Sequence, residues 1–206
     1  MMLDVRGLAV ARGGVPVLEG VSFRLSAGAA LVLRGPNGIG KTTLLRTIAG
    51  LQPALAGEVE AEAETLAYAS HRDGIKATLT VAENLAFWAE VYGRTVPDDV
   101  WEAFDLHDLR DRMGGTLSAG QTRRLGLARL GVIGRRVLLL DEPTVSLDAA
   151  SVRRFAGWLA ERHLGAGGVA VIATHIDLGL DAPELDLTPY RADPHTATGG
   201  SDEAFL

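Results

Sequence analysis

The 206-residue chain contains no cysteine. That excludes disulfides, thiolate metal centres and a cysteine nucleophile, and it accords with a reducing compartment. Long apolar runs are also missing. Val137 to Leu140 and Val169 to Ala173 have the length of strands, against the ~20 residues of a membrane-spanning helix. The first seven residues carry Asp4 and Arg6 and hold no apolar leader core. Positive charge is short as well: 20 Lys plus Arg stand against 26 Asp plus Glu, a net charge of -6, with no basic block. No nucleic-acid partner is therefore expected. No repeat of fixed period is present. Lysine is nearly absent: among the 20 basic residues only Lys41 and Lys76 are not arginine, which draws attention to sites that need a compact ammonium.

What remains is an ordinary globular composition, 47% hydrophobic and 22% charged. The length fits one domain with room for an inserted subdomain. Residues 1 to 34 read as strands: Val15–Leu18 and Val21–Leu25 are short and bounded by glycine, and Ala29–Leu33 is a continuous apolar run suited to burial on both faces. Leu44, Leu45, Ile48 and Ala49 then fall at helical spacing before Gly50 and Pro53. The stretch from Ser70 to Gly115 reads as helical, with Thr80-Val81-Ala82-Glu83 as a capping box and Pro97 opening a second helix. Trp88, Trp101 and Trp158 sit on helical segments as core packing. A helix over 118–133, a strand over 137–140, a helix capped by Asp148 and a strand over 168–174 follow. From Pro189 to residue 206 the composition predicts a loose tail. Alternating strands and helices imply an α/β fold with a mostly parallel sheet, its ligands at the carboxyl ends of the strands.

Between the third strand and the first helix stands Gly35-Pro36-Asn37-Gly38-Ile39-Gly40-Lys41-Thr42, a G-x-x-x-x-G-K-[ST] pattern. A chance match is expected in about 3 of a thousand chains of this composition. Glycines let the backbone curl so that its N–H groups face phosphate oxygens, and the following helix turns its N-terminus to the same anion. Lys41 is placed to reach the β and γ phosphates of a nucleoside triphosphate, the Thr42 hydroxyl to ligate Mg²⁺, and Thr43 to touch the α-phosphate. The run Val137-Leu138-Leu139-Leu140-Asp141-Glu142 ends a buried strand in two carboxylates. Asp141 is placed to hold Mg²⁺ and Glu142 to polarise the attacking water.

Further motifs follow in order. Leu117-Ser118-Ala119-Gly120-Gln121 resembles the signature motif of ATP-binding cassette (ABC) transporter ATPases. Ser146-Leu147-Asp148 resembles their D-loop, and Ala173-Thr174-His175 their switch histidine. The resemblance covers about residues 1 to 180. It implies a P-loop NTPase core with an N-terminal antiparallel β part and a helical subdomain inserted at about 70–118. It also implies ATP and Mg²⁺ as ligands, and catalysis by Lys41, Glu142 and His175. In this family two cassettes pack head to tail, so Ser118, Gly120 and Gln121 would clamp the ATP held by a second copy and Asp148 would bridge the halves. The capping box of Ser118 with Gln121 makes that helix end a second anion site. Membrane spans would come from partner transporter subunits, placing the chain peripherally on the cytoplasmic face of the inner membrane.

Three positions depart from the family pattern. His71 stands where a Mg²⁺-sensing glutamine is usual, Arg12 where an aromatic stacks on adenine, and Ala119 where the signature has glycine. His71, the segment Asp73–Thr80, the Leu-Ser-Ala-Gly-Gln form of the signature and the short length together resemble the branch that serves haem export in cytochrome c maturation. Two other readings stay open. One is an ATP-dependent assembly module of a membrane complex with dispensable hydrolysis. The other is an ABC ATPase for another substrate, a soluble repair or translation ATPase being disfavoured by the single cassette and acidic charge.

Overall fold

The computed structural model describes residues 2–62, 64–70 and 73–193. The chain runs β1 (Leu3–Arg12), β2 (Val15–Leu25), β3 (Ala30–Arg34), α1 (Lys41–Ile48), β4 (Ala56–Ala61), β5 (Leu66–Ala69), α2 (Val81–Val91), α3 (Asp98–Ala103), α4 (Ala119–Ile133), β6 (Val137–Asp141), α5 (Ala149–Trp158), β7 (Val169–Ala173) and β8 (Glu184–Asp186). Five strands form a parallel sheet in the order β5-β6-β7-β3-β8, and β2-β1-β4 form a separate antiparallel sheet.

The apolar runs explain the layering. Successive strand side chains point to opposite faces, so a strand buried on both faces must be apolar throughout. In β6, Val137 and Leu139 join the core shared with α1 and the antiparallel sheet, whereas Leu138 and Leu140 join the core beneath the helices. In β7, Val169, Val171 and Ala173 alternate with Ala170 and Ile172 in the same way. Both faces of the parallel sheet are thus covered. The chemistry gathers at its carboxyl edge, where β3, β6 and β7 end at residues 34, 141 and 173.

The helical side holds Trp101, Phe104, Leu125, Phe155 and Trp158 in one cluster, with Trp88 packed against it, as the tryptophan positions predict. The Thr80–Glu83 capping box is formed, with both reciprocal bonds present. Three features differ from the sequence reading. Strands β4, β5 and β8 lie where none was read: β4 is largely exposed at an edge, and β5 and β8 have only four and three residues, too few for a periodic signal. Residues 73–79 carry no helix; their backbone is tied to Asn84, which bonds Lys76 N, Lys76 O and Leu79 O. Residues 189–193, read as part of a loose tail, are docked: Ala192 is buried, and its N–H donates to Val17 O at 3.1 Å. The remainder of that tail, 194–206, lies outside the described residues.

Candidate nucleotide site

Strand β3 ends at Arg34, and the loop to α1 follows. Gly35, Gly38 and Gly40 take φ of 137°, 82° and 123°, values that a side chain would resist, and a Cβ on Gly40 would press on Leu18 at 3.0 Å. The helix that follows has no side-chain cap at Gly40. Its first N–H groups are left to whatever anion enters the loop. Lys41 folds back over this loop: its Nζ donates to Gly35 O at 2.6 Å and Pro36 O at 3.3 Å. Burial holds its pKa below the usual lysine value, opposed by the charges of Glu142 and Asp141. Thr43 is buried and Thr42 exposed.

The Asp-Glu pair meets the loop from β6. Asp141 is buried; Thr42 Oγ1 donates to its Oδ1 at 3.1 Å and Tyr68 OH to its Oδ2 at 3.0 Å. Glu142 stands at φ 49°, a left-handed conformation that costs on the order of 1 kcal/mol in a residue with a side chain. Its N–H donates to Ala173 O at 2.8 Å. His175, just beyond β7, completes the group. Its Nε2 lies 2.8 Å from Asn37 Oδ1, 3.4 Å from Lys41 Nζ and 3.5 Å from Glu142 Oε1. The structure therefore brings Lys41, Thr42, Asp141, Glu142 and His175 into one cluster, although 134 positions separate Lys41 from His175.

The other predicted residues are distributed differently. Ser118 and Gln121 form the capping box, with Gln121 Oε1 accepting from Ser118 N–H at 2.9 Å and Ser118 Oγ from Gln121 N–H at 3.3 Å. Among the described residues no hydrogen bond joins 118–121 to the phosphate loop. A Cβ on Gly120 would lie 3.0 Å from Ser146 O, so the signature turn rests on the D-loop of its own chain. Asp148 caps α5 by accepting from Ser151 N–H at 2.7 Å, and that bond lowers its pKa below the usual carboxylate value. Arg12 is exposed at the end of β1. The cavity of about 340 Å³ beside the phosphate loop is lined by Val15, Val17, Pro36, Asn37 and Arg191, and not by Arg12. His71 lies outside the described residues.

Three contacts were not foreseen. Tyr68 bonds Asp141, and burial, reinforced by the Asp141 charge, raises its pKa so that it stays a donor. Arg34 donates to Thr174 O at 2.5 Å and pairs with Glu184. Arg123 links α4 to the Glu142 turn. None belongs to a spacing motif; the hint was only that each flanks one.

Two protein oxygens at Thr42 and Asp141 suit Mg²⁺, which takes few protein ligands and completes its shell with water and phosphate. Among the described residues no group of three or more metal-ligating acidic or histidine side chains exists.

A glycine loop at a strand end, an uncapped helix and an adjoining Asp-Glu pair define a P-loop nucleotide-binding protein of the ABC ATPase class. The sequence profile described as ABC transporter matches residues 18–145. The chain belongs to that family. It is 62% identical to a protein of Roseobacter denitrificans over 100% of both chains, and 63% identical to one of Cereibacter sphaeroides over 100% of this chain and 98% of that one. Both are named cytochrome c biogenesis ATP-binding export protein CcmA. A solved Pyrococcus furiosus structure of an ABC transporter ATP-binding protein superposes with a TM-score of 0.83 and 28% identity, over 92% of this chain and 99% of that one.

Proposed function

We propose that this chain is the ATP-hydrolysing subunit of a membrane export complex that serves cytochrome c biogenesis. The observation that carries the catalytic half is the cluster of Lys41, Thr42, Asp141, Glu142 and His175 at one edge of the parallel sheet. Near-complete alignment with relatives bearing the export name supports the biological half.

In the proposed reaction the loop amides and Lys41 bind the triphosphate, Lys41 exchanging its loop carbonyls for phosphate oxygens. Thr42 and Asp141 hold Mg²⁺, which supplies charge neutralisation on the terminal phosphates when bound. Tyr68 keeps Asp141 oriented. Glu142 accepts a proton from the attacking water. His175 orients that water and the γ-phosphate; with hydrogen on Nε2 it donates to Asn37, and with a lone pair there it accepts from Lys41. The water oxygen forms a bond to the γ-phosphorus as the bond to the leaving ADP oxygen breaks.

The signature end of α4 is capped, Ser118 and Ala119 are exposed, and among the described residues no hydrogen bond ties 118–121 to the phosphate loop of its own chain. It serves a second copy, so that ATP favours a dimer and ADP, lacking the γ-phosphate, releases it. Among the described residues no helix is long and apolar enough to cross a membrane, so integral membrane subunits supply the path and the chain lies peripherally against them. Co-purification in mild detergent, followed by identification of the bound membrane proteins, tests the assignment. Partners unrelated to haem or cytochrome c assembly would refute it.

A further inference from the structure

Arg123 is enclosed at 4% exposure near the start of α4, and its donors lead away from its own helix. Nε donates to Pro143 O at 2.8 Å and Nη2 to Glu142 O at 2.9 Å. Nη1 donates to Ser70 O at 2.8 Å and to Asp73 Oδ1 at 2.7 Å. A left-handed glutamate relaxes toward ordinary backbone angles unless both of its peptide groups are held. At Glu142 the N–H is held by Ala173 O and the carbonyl by Arg123. The direction of Cβ follows the backbone, so whatever holds this turn also aims the carboxylate, which lies 3.5 Å from His175.

We propose that Arg123 is a positioning residue for hydrolysis. It holds the Glu142–Pro143 turn so that the Glu142 carboxylate faces the phosphate loop, and Asp73 fixes the guanidinium in the orientation that does this. The planar fork suits the task because it spans both sides at once, the two carbonyls after β6 and the Ser70–Asp73 side, where an ammonium would reach one. Gly126 is part of the arrangement. A Cβ there would lie 2.6 Å from Asp73 Cβ, so only glycine lets Asp73 approach the helix this closely. The inference rests on the reading of Glu142 as general base.

The test is single-turnover ATP hydrolysis and ATP-binding titration on the full chain, comparing Arg123→Gln, Asp73→Asn, Glu142→Gln and the double variant Arg123→Gln/Glu142→Gln. Arg123→Gln is expected to slow turnover on the order of 10-fold, the size of a lost charge-assisted bond, with ATP affinity unchanged. Asp73→Asn moves the rate the same way by less. The double variant should be no slower than Glu142→Gln alone, because the role of Arg123 runs through Glu142. Wild-type turnover in Arg123→Gln, losses that multiply in the double variant, or affinity falling in step with rate would overturn the inference. Should Arg123→Gln fail to fold on thermal melting, Asp73→Asn and Gly126→Ala leave the arginine in place and carry the same comparison. Full-rate hydrolysis by Glu142→Gln would remove the general-base reading itself, whereas a slow Glu142→Gln beside a fast Arg123→Gln removes only this step.

Discussion

The phosphate loop and the signature turn are both glycine-bearing helix N-termini, yet they are finished to different degrees. At the loop, Gly40 offers no side-chain cap, and Lys41, Asp141, Glu142 and His175 converge from three strand ends. At the signature, Ser118 and Gln121 satisfy each other and the surface stands open. An uncapped helix end surrounded by a lysine, two carboxylates and a histidine suits a ligand held within the chain. A capped and exposed one is stable alone and available to another molecule. In the proposed function, one chain carries a nearly complete site and a separate half-site.

The sharpest way to break this contrast is at the complete site. Glu142→Gln should slow ATP turnover at least ~100-fold while binding survives, as measured by steady-state phosphate release beside nucleotide titration. Turnover near wild type would remove Glu142 from the chemistry. Lys41→Ala should weaken ATP binding by about 10- to 100-fold, the worth of charge-assisted bonds to phosphate, as read by calorimetric titration. An unchanged affinity would mean the loop amides suffice.

The half-site calls for a different signature. In a Glu142→Gln background, Ser118→Ala should leave ATP binding by the monomer intact but weaken the ATP-dependent dimer several-fold by sedimentation, a cost of about 1 kcal/mol from the lost cap. Equal dimerisation with ATP and ADP would dissolve the distinction between the two helix ends.

The smallest effect lies away from both. His163 Nε2 sits 3.0 Å from Val169 O, the ring stacks on Trp158, and burial lowers its pKa below 6.5. A histidine with a depressed folded pKa binds its proton more readily when unfolded. Its stabilisation is therefore full above about pH 6.5 and is lost as pH falls through the folded value. Urea midpoints should decline below that pH, and His163→Phe should flatten the decline without altering ATP affinity. A decline of the same steepness in the variant would assign it to other groups.

Much of this was legible from residue order. The glycine loop, the carboxylates after an apolar strand and the capping boxes at Thr80 and Ser118 are local patterns with local causes, and each appears where its spacing predicts. Strand β4 was not legible, because an exposed edge strand needs no apolar alternation. The docking of 189–193 was not either: Ala192 is buried and bonds Val17, 175 positions earlier.

Short-range spacing was enough to establish the phosphate-binding chemistry, since a backbone nest and a helix cap each depend on a few consecutive dihedrals and side chains. Which side chains support the reacting groups was settled by packing. Tyr68 reaches Asp141 and Arg123 reaches Glu142 only because parallel strands and α4 lay distant segments side by side, and the desolvation and paired carbonyls that give those contacts their strength arise only when the core closes.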